Sequence, residues 1–428
     1  MNIQKFTKSI ILLVCLIITN NNTIFFLNRF LIPEFISQPY VSYRRSYQSI
    51  SLQPFVMTSN IIHMKNFYGI NESFRGIYEI DGNYHATVID QSLMNAGVTD
   101  HHTMPSEWLY NRLFIPIKLN GNIQTSGLAW HISTEVYDNI FLGWSSAVCS
   151  AFGVIDFNIK PEDEKVVLSQ GYISDVLDTY RNLNKQLRNA SNYMQDYTFA
   201  DQDMYMRYEW HTDFAMFMQR IKGAIQLGCI IPSALEKNIF NPASYMVGTD
   251  GHWGLYGSGI LDLVLKEDII LGFNLKVIGQ FSKTKMVRIP LLNESSRYGS
   301  VVCWMNVNPG ITTLFSPYLT VEGLRDGLGG KLSYQVVYHQ DDAHSVQKNY
   351  NILDKKPLPT IDIDRLNRLS GWAQEHVAVS VFYDFMRVHE EHDAEPFLGF
   401  TAYIPVDWFF SKASAKTYGL SASVEILY

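Results

Sequence analysis

The sequence predicts an all-β fold: a single transmembrane antiparallel β-barrel of roughly 12–16 strands with one amphipathic helical insertion. Three observations carry this. Segments of ten or more residues alternate apolar and polar with a period of two, as a strand with one greasy and one wet face does. Aromatic residues make up 14% of the chain and charged residues only 18%, against about 25% charged in soluble proteins. Mean hydropathy is −0.04, far too low for a bundle of membrane-crossing helices. A barrel reconciles these facts, because only every second strand residue meets lipid. The net charge of −7 over 428 residues argues against a nucleic-acid binder that works by charge.

At the N-terminus, Lys5 and Lys8 precede a nine-residue apolar run, Ile10–Ile18, and a polar break at Thr19–Thr23. That is the layout of a secretory signal over residues 1–23, and the run is too short to span a bilayer as a helix. No small-x-small pattern marks a cleavage site. Cys15 follows Val14, which is not the small residue a lipoprotein site needs. The barrel is assigned to 24–428, and Ile24–Pro33 either extends the signal or opens the mature chain. Cys149, Cys229 and Cys303 remain, an odd number at wide spacing without a CxxC. Neither a disulfide framework nor a zinc site follows, and each reads as a small apolar filler in a strand.

The strands come next. Gln48–Thr58 is the first, and 60–107 is mixed, with turn signals. The run 113–119 meets Asn120–Asn122 (NGN), the strongest short hairpin signal in the chain. The following run sets Leu128, Trp130, Ile132 and Val136 opposite His131, Ser133 and Glu135. A tight Asp138–Asn139 turn leads to a strand with Ile140, Leu142, Trp144, Val148 and Phe152 opposite Gly143, Ser145 and Ala147. In Pro161–Asn192 acids come early, bases late, and Val176, Leu177, Tyr180, Leu183 and Leu187 fall at helical spacing. This is the helical insertion (about 161–192), interrupted near Gly171, either plugging the lumen or lying outside it.

Asp203–Phe214 has the sharpest contrast. Met204, Met206, Tyr208, Trp210 and Phe214 face one way; Asp203, Tyr205, Arg207, Glu209, His211 and Asp213 face the other. Further strands occupy 223–231, 258–268, 270–281, 300–307, 313–323 and 330–340. Among them Lys276 opposes Leu275 and Val277, while Lys331 and Gln335 oppose Leu332 and Tyr334. Residues 341–370 are polar and long and read as an extracellular loop. Strands at 372–385 and 396–408 precede the closing strand.

That closing strand, Tyr418–Tyr428, reads YGLSASVEILY. Tyr418, Leu420, Ala422, Val424, Ile426 and Tyr428 alternate with Gly419, Ser421, Ser423, Glu425 and Leu427. Tilted in a barrel, its length rises about 25 Å, the height of an outer-membrane apolar band, with a tyrosine in each aromatic girdle. The ending resembles that of bacterial outer-membrane β-barrels of the porin-like kind, whose last strand closes on an aromatic. The resemblance implies an outer-membrane location, recognition of the last strand by the assembly machinery, and a lipid bilayer as partner. It also implies passive diffusion of small polar or ionic solutes, with homo-oligomerisation open and no cofactor.

On this reading the polar faces line the lumen: Arg207, Glu209, His211, Asp213, His131, Glu135, Lys276, Lys331, Gln335 and Glu425. There they either bias permeating ions or pair across strands and fill a narrow barrel. Trp130, Trp144, Tyr208, Trp210, Tyr334, Tyr418 and Tyr428 are the girdle and lipid-facing set. Other motifs are weaker. His389–Asp393 (HEEHD) lacks metal-ligand spacing, and Asp100–His102 is similar. Gly323–Lys331 misses the P-loop spacing and is a glycine turn. The glycine-rich Gly248–Gly259 fits a turn or constriction better than a cofactor loop. No GxSxG elbow supports the rival reading, an outer-membrane barrel enzyme such as a phospholipase. A second rival, a secreted soluble β protein that binds carbohydrate or cell surfaces, would turn its aromatics to sugars.

Overall fold

In a computed structural model of the chain, the alternating segments close into a ring. The structure describes residues 31–32, 48–65, 114–159 and 191–427, apart from 215–217, 242, 267, 290–300, 354, 356, 359 and 386–394, with short pieces of 71–106 and 177–188. The signal segment, the first half of the helical insertion, His389–Asp393, Asp100–His102 and Tyr428 lie outside the described residues.

Strand β1 (Gln48–Lys65) is followed by the short β2 (Asn71–Glu72) and β3 (Gly82–His85). The long β4 (Phe114–Tyr137) and β5 (Ile140–Ile159) come next. Then come β6 (Tyr193–Phe199), β7 (Gln202–Asp213), β8 (Arg220–Ile231), β9 (Gly254–Lys266) and β10 (Ile269–Gln280). After β11 (Lys283–Ile289) and β12 (Val301–Asn308) the chain returns with β13 (Thr312–Arg325) and β14 (Leu328–His339). The last elements are β15 (Ala343–Val346), helix α1 (Ile363–Ser370), β16 (Trp372–Asp384), β17 (Glu395–Pro405) and β18 (Ala415–Leu427).

Antiparallel neighbours run β1-β18-β17-β16-β14-β13-β10-β9-β8-β7-β5-β4, and β4 pairs with β1 to close a 12-strand barrel. The even count and antiparallel order are those of transmembrane barrels. In β1, Ser49, Ser51, Gln53, Phe55, Met57 and Ser59 are buried, while Leu52 and Val56 are exposed. One face is therefore the inside of the barrel and the other its outer wall. The outer wall carries large apolar side chains on strand after strand, among them Leu128, Met206, Leu227, Leu255, Leu275, Phe315, Leu332, Val381 and Leu420. Among the described residues no helix is long and apolar enough to cross a membrane.

One end of the barrel carries short turns along with the 385–394 connection between β16 and β17. Asp138–Asn139, with Asn139 at φ 63°, and the turn at Gly327, at φ 74°, reverse β4 into β5 and β13 into β14. The start of β1 and the end of β18 lie at this same end, since Ser49 pairs with Leu427. At the other end β1, β5, β8, β10, β14 and β17 leave the barrel, and the described connections there include 232–241, 243–253, 281–289, 301–311, 340–353 and 406–414.

Three expectations are corrected here. The NGN at 120–122 makes no hairpin: Asn120 pairs with Asp156 and Asn122 with Val154, so the chain runs straight through as one 24-residue strand. Continuous ladders on both flanks outweigh the local turn preference. The strand at 300–307 is not in the barrel. It is β12, the middle of a separate three-strand sheet, β11-β12-β15. Its Val301, Cys303, Met305 and Val307 are buried against Leu358, Ile361, Ile363 and Leu366, so the apolar face meets a helix instead of lipid. Finally, 341–370 is no plain loop, for it supplies β15 and α1 to that sheet. Asp362 caps the helix by accepting the Arg365 amide at 3.0 Å. The described pieces of 177–185 are helical, and Arg188 donates to the Leu353 carbonyl at 3.0 Å. The insertion thus ends among the long connections. Cys149 and Cys303 are buried and Cys229 partly so, all three as free thiols.

Asp250 fastens the small sheet to the barrel rim. It accepts the Lys237 amide at 2.9 Å and pairs with Lys285 on β11. Burial pushes its carboxyl upward, but the Lys285 ammonium and the Lys237 amide outweigh burial and hold it below the ordinary value of 3.8. A carboxylate with a depressed folded pKa stabilises the fold above its unfolded pKa and loses that contribution as pH falls through the folded one. Hydrogen exchange over 232–253 is therefore expected to rise as pH drops below about 4. In Asp250→Asn the same segment opens at neutral pH, at a cost of about 1.5–3 kcal/mol, and its stability no longer depends on acid pH.

Candidate functional site

The site is the inner wall of the barrel. It starts from a pattern the alternation makes room for: tyrosines laid flat over glycines on the neighbouring strand. Tyr205 lies over Gly143, Tyr256 over Gly228 and Tyr318 over Gly272, each pair in direct register. A β-carbon on any of these glycines would occupy the ring's place. Each ring is buried and each hydroxyl has a fixed partner. Tyr205 Oη meets His131 Nε2 at 2.7 Å, Gln226 Nε2 donates to Tyr256 Oη at 2.7 Å, and Tyr318 Oη donates to Asp262.

A cation stands over each ring. Lys276 Nζ is 3.5 Å from the Tyr256 centroid, Lys331 Nζ is 4.0 Å from that of Tyr318, and the Arg207 guanidinium lies 5.9 Å from that of Tyr205. Arg207 also sits 5.3 Å from the Phe141 ring. Each desolvated contact of this kind contributes about 2 kcal/mol. The cations have acids beside them: Arg207 Nη2 to Glu209 Oε1 is 2.7 Å, and Lys276 Nζ to Asp203 Oδ2 is 3.9 Å. Lys276 is on β10 and Asp203 on β7, with β8 and β9 between them, so this pair reaches across the interior. His131 on β4 and Tyr205 on β7 likewise skip β5. Arg207, Lys276 and Asp203 are only 5%, 2% and 2% exposed, which makes this stretch a filled layer and not a wide bore.

The sequence-derived residues divide by height. His131, Arg207, Lys276 and Gln335 are buried on the inner face, and Glu209, Lys331 and Glu425 are partly buried there. His211 and Asp213 fall on the same strand face but at the turn end, exposed, with Asp213 paired to Arg220 at the rim. Glu135 serves the turn, its Oε1 accepting the Asn139 amide at 2.7 Å. On the outer wall Tyr208, Trp210 and Tyr418 are exposed, and Trp130 and Trp144 are half-buried. Tyr334 is half-buried because Trp408 stacks on it, centroids 5.4 Å apart.

Sequence reading missed the tyrosine platforms, Lys222 and Asp262. Lys222 and Asp262 pair in register, and both are buried. A signal for the platforms was present, since Gly143, Gly228 and Gly272 sit on the wet faces of three strands. Finding them needed the cross-strand register. Among the described residues no three His, Cys, Asp or Glu side chains converge as a metal site.

No protein-family model and no curated protein matches the chain. Solved structures of similar shape include an outer-membrane channel from Pseudomonas putida F1, at 7% identity and a TM-score of 0.48, covering 92% of this chain and 100% of that one. The transport unit of the autotransporter AIDA-I from Escherichia coli matches at 8% identity and 0.38, covering 92% and 93%. A Pseudomonas aeruginosa FadL homologue matches at 10% identity and 0.28, covering 89% of each chain. At these TM-scores, what those proteins carry says nothing of what this chain carries. The barrel itself is closed, even-stranded and apolar outside, the form of a transmembrane β-barrel.

The platforms make a direct prediction. Gly143→Val puts a branched side chain where the Tyr205 ring lies, and the yield of folded, heat-modifiable barrel is expected to fall, with a cost of about 1–3 kcal/mol for overpacking. Adding Tyr205→Ser restores most of the yield. No recovery in the double variant would mean that the ring does not lie on that glycine.

Proposed function

We propose that this chain is an outer-membrane channel passing small ions and small polar solutes along a narrow hydrated path, restricted by the layer of ion pairs around Arg207 and Lys276. One observation carries the reading: among the described residues, a set of buried polar atoms on the inner wall has no protein partner. They include Arg207 Nε and Nη1, His131 Nδ1, Gln53 Oε1, Ser59 Oγ, Asn274 Oδ1, His376 Nε2 and both amide atoms of Gln374. They lie on β1, β4, β7, β10 and β16, spread around the ring. Left dry, each such atom costs about 1–3 kcal/mol, so water is their natural partner. Polar atoms solvated from within, behind a wall of apolar side chains facing out, describe a conduit.

The charge layer then sets selectivity and limits size. It departs from a wide porin-like bore because the charges pair across the interior. The soluble alternative is disfavoured by the outer wall, whose apolar side chains continue over every barrel strand beyond what a soluble monomer exposes. A phospholipase-like site needs an outward Ser–His pair. Among the histidines whose side chains are described, His131, His339 and His376 are buried on barrel strands, His211 lies on the inward face at the rim, His252 bonds the Phe281 carbonyl, and His344 bonds Asn367.

Orientation follows from the two ends. The start of β1, the end of β18 and the turn at Gly327 belong to the periplasmic side, and the small sheet with β15 to the outside. On intact cells an impermeant thiol reagent is expected to label Ser345→Cys and to leave Asp326→Cys unlabelled until lysis; the unsubstituted chain gives the background of its native thiols. The reverse pattern would invert the assignment.

Conduction is tested at Glu209, the acid that pairs with Arg207. In planar bilayers the wild-type barrel is expected to show small, discrete conductance steps. Glu209→Gln releases the guanidinium charge and raises the anion-to-cation permeability ratio about fivefold, the ratio set by ~1 kcal/mol of electrostatic energy. His211→Asn, at the exposed rim, leaves the ratio unchanged. A folded barrel that never conducts would overturn the channel reading.

A further inference from the structure

We propose that the 406–414 connection is a lipid anchor: a loop folded down over the outer wall that drives Trp408, Phe409 and Phe410 into the acyl chains of the outer leaflet. The proposal rests on the membrane reading above and adds a site that the barrel strands do not supply. Three consecutive aromatics in this loop are exposed, at 59%, 76% and 59%. They do not rise above the rim. Trp408 stacks on Tyr334, five residues below the loop end of β14, on the outward face between buried Ser333 and Gln335.

A carboxylate holds the loop there. Glu375 pairs in register with Val336 and so lies on the outer face of the wall, where an acid is costly. The loop covers it completely. Phe409 N donates to Glu375 Oε1 at 3.0 Å, and Ser411 N and Ser411 Oγ donate to Oε2 at 3.2 and 2.9 Å. The Tyr334 hydroxyl donates to Oε1. Backbone bonds between Ala373 and Lys412 and from Val406 N to the Glu375 carbonyl tie the loop's ends to the free edge of β16 beyond β17. The acid is thus satisfied largely by the loop, and the segment that satisfies it leaves three aromatic rings exposed on the outer wall, Trp408 lying on Tyr334.

The occupant is read from continuity. The rings extend the apolar outer wall, next to Tyr338, Tyr418 and Leu420, all exposed on neighbouring strands near the same end. Lys416 pairs with Asp407 at 2.7 Å beside them, a polar border of the kind found where acyl chains meet headgroups. Aromatic side chains at that depth are stabilised at the membrane interface. A second copy of this chain is the competing occupant, and the test separates the two.

The experiment uses tryptophan quenching by lipids brominated near the headgroups or near the chain ends, in vesicles holding the full-length folded barrel. The difference between wild type and Trp408→Phe isolates one of the 8 tryptophans. Shallow bromines are expected to quench that difference signal more strongly than deep ones. Glu375→Gln, which weakens the latch without changing volume, is expected to lose much of the shallow quenching while conductance persists. Retained quenching in that variant would overturn the latch. If the other tryptophans are quenched but the Trp408 difference is not, the anchor fails and the membrane reading stands. If no tryptophan is quenched by either lipid, the membrane reading itself fails. A dimer in detergent that Phe409→Ser with Phe410→Ser converts to monomer would assign the rings to a second copy and overturn the lipid assignment.

Discussion

The structure depends on the pairing of β1 with β18 on one side and β4 on the other. Hydrocarbon offers no hydrogen-bond partner, and each bare backbone group would cost several kcal/mol there. Only a sheet without edges escapes that cost. Every other feature follows from closure. The side chains must sort into two sets, one for lipid and one for the interior. The even strand number puts both ends of the sheet at one end of the barrel. The connections at the other end are then free to grow.

Closure at twelve strands leaves an interior that side chains can nearly fill. The chain fills it with rings laid flat on glycines, which keep the wall thin where a tyrosine adds bulk. Each ring then presents its electron-rich face to a cation, which in turn reaches an acid. Glycine, tyrosine, lysine and aspartate thus form one mechanical unit, repeated with variations from β5 to β14. The same geometry explains Glu375, the acid on the wrong face. With no interior partner within reach, it is tolerated because a loop brings donors to it from outside.

Much of this was legible in the one-dimensional pattern. The alternation in Asp203–Phe214 placed Asp203, Tyr205, Arg207 and Glu209 on one face, and they are buried or partly buried together. What stayed illegible depends on register and on chain length beyond a strand. The asparagines flanking Gly121 carry a strong turn preference, yet ladders on both sides hold them extended. The apolar run in β12 looks like a lipid-facing strand, because an apolar stripe does not say whether lipid or a helix will cover it. Pairs such as Lys276 with Asp203 lie 73 residues apart in sequence, and no local period reports them. The exposed positions of His211 and Asp213 show the limit of the face rule: alternation gives the face, while burial also needs the height along the barrel.

The interior charges bear on why the molecule is built this way. Stability alone does not call for them. A buried ion pair is often no better than well-packed apolar residues of equal volume, since desolvation cancels most of the attraction. Specifying which face points inward does call for polarity, because an all-apolar strand would slip register freely. Yet serine and threonine would do that at little cost, and the wall has them at Ser49, Thr125, Ser145, Thr320 and Ser421. Arg207, Lys222, Lys276, Asp203 and Asp262 go beyond what inside-out sorting requires. Charges kept where they add little stability, next to polar atoms without a partner among the described residues, point to a demand other than folding, and the proposed passage of small ions supplies one.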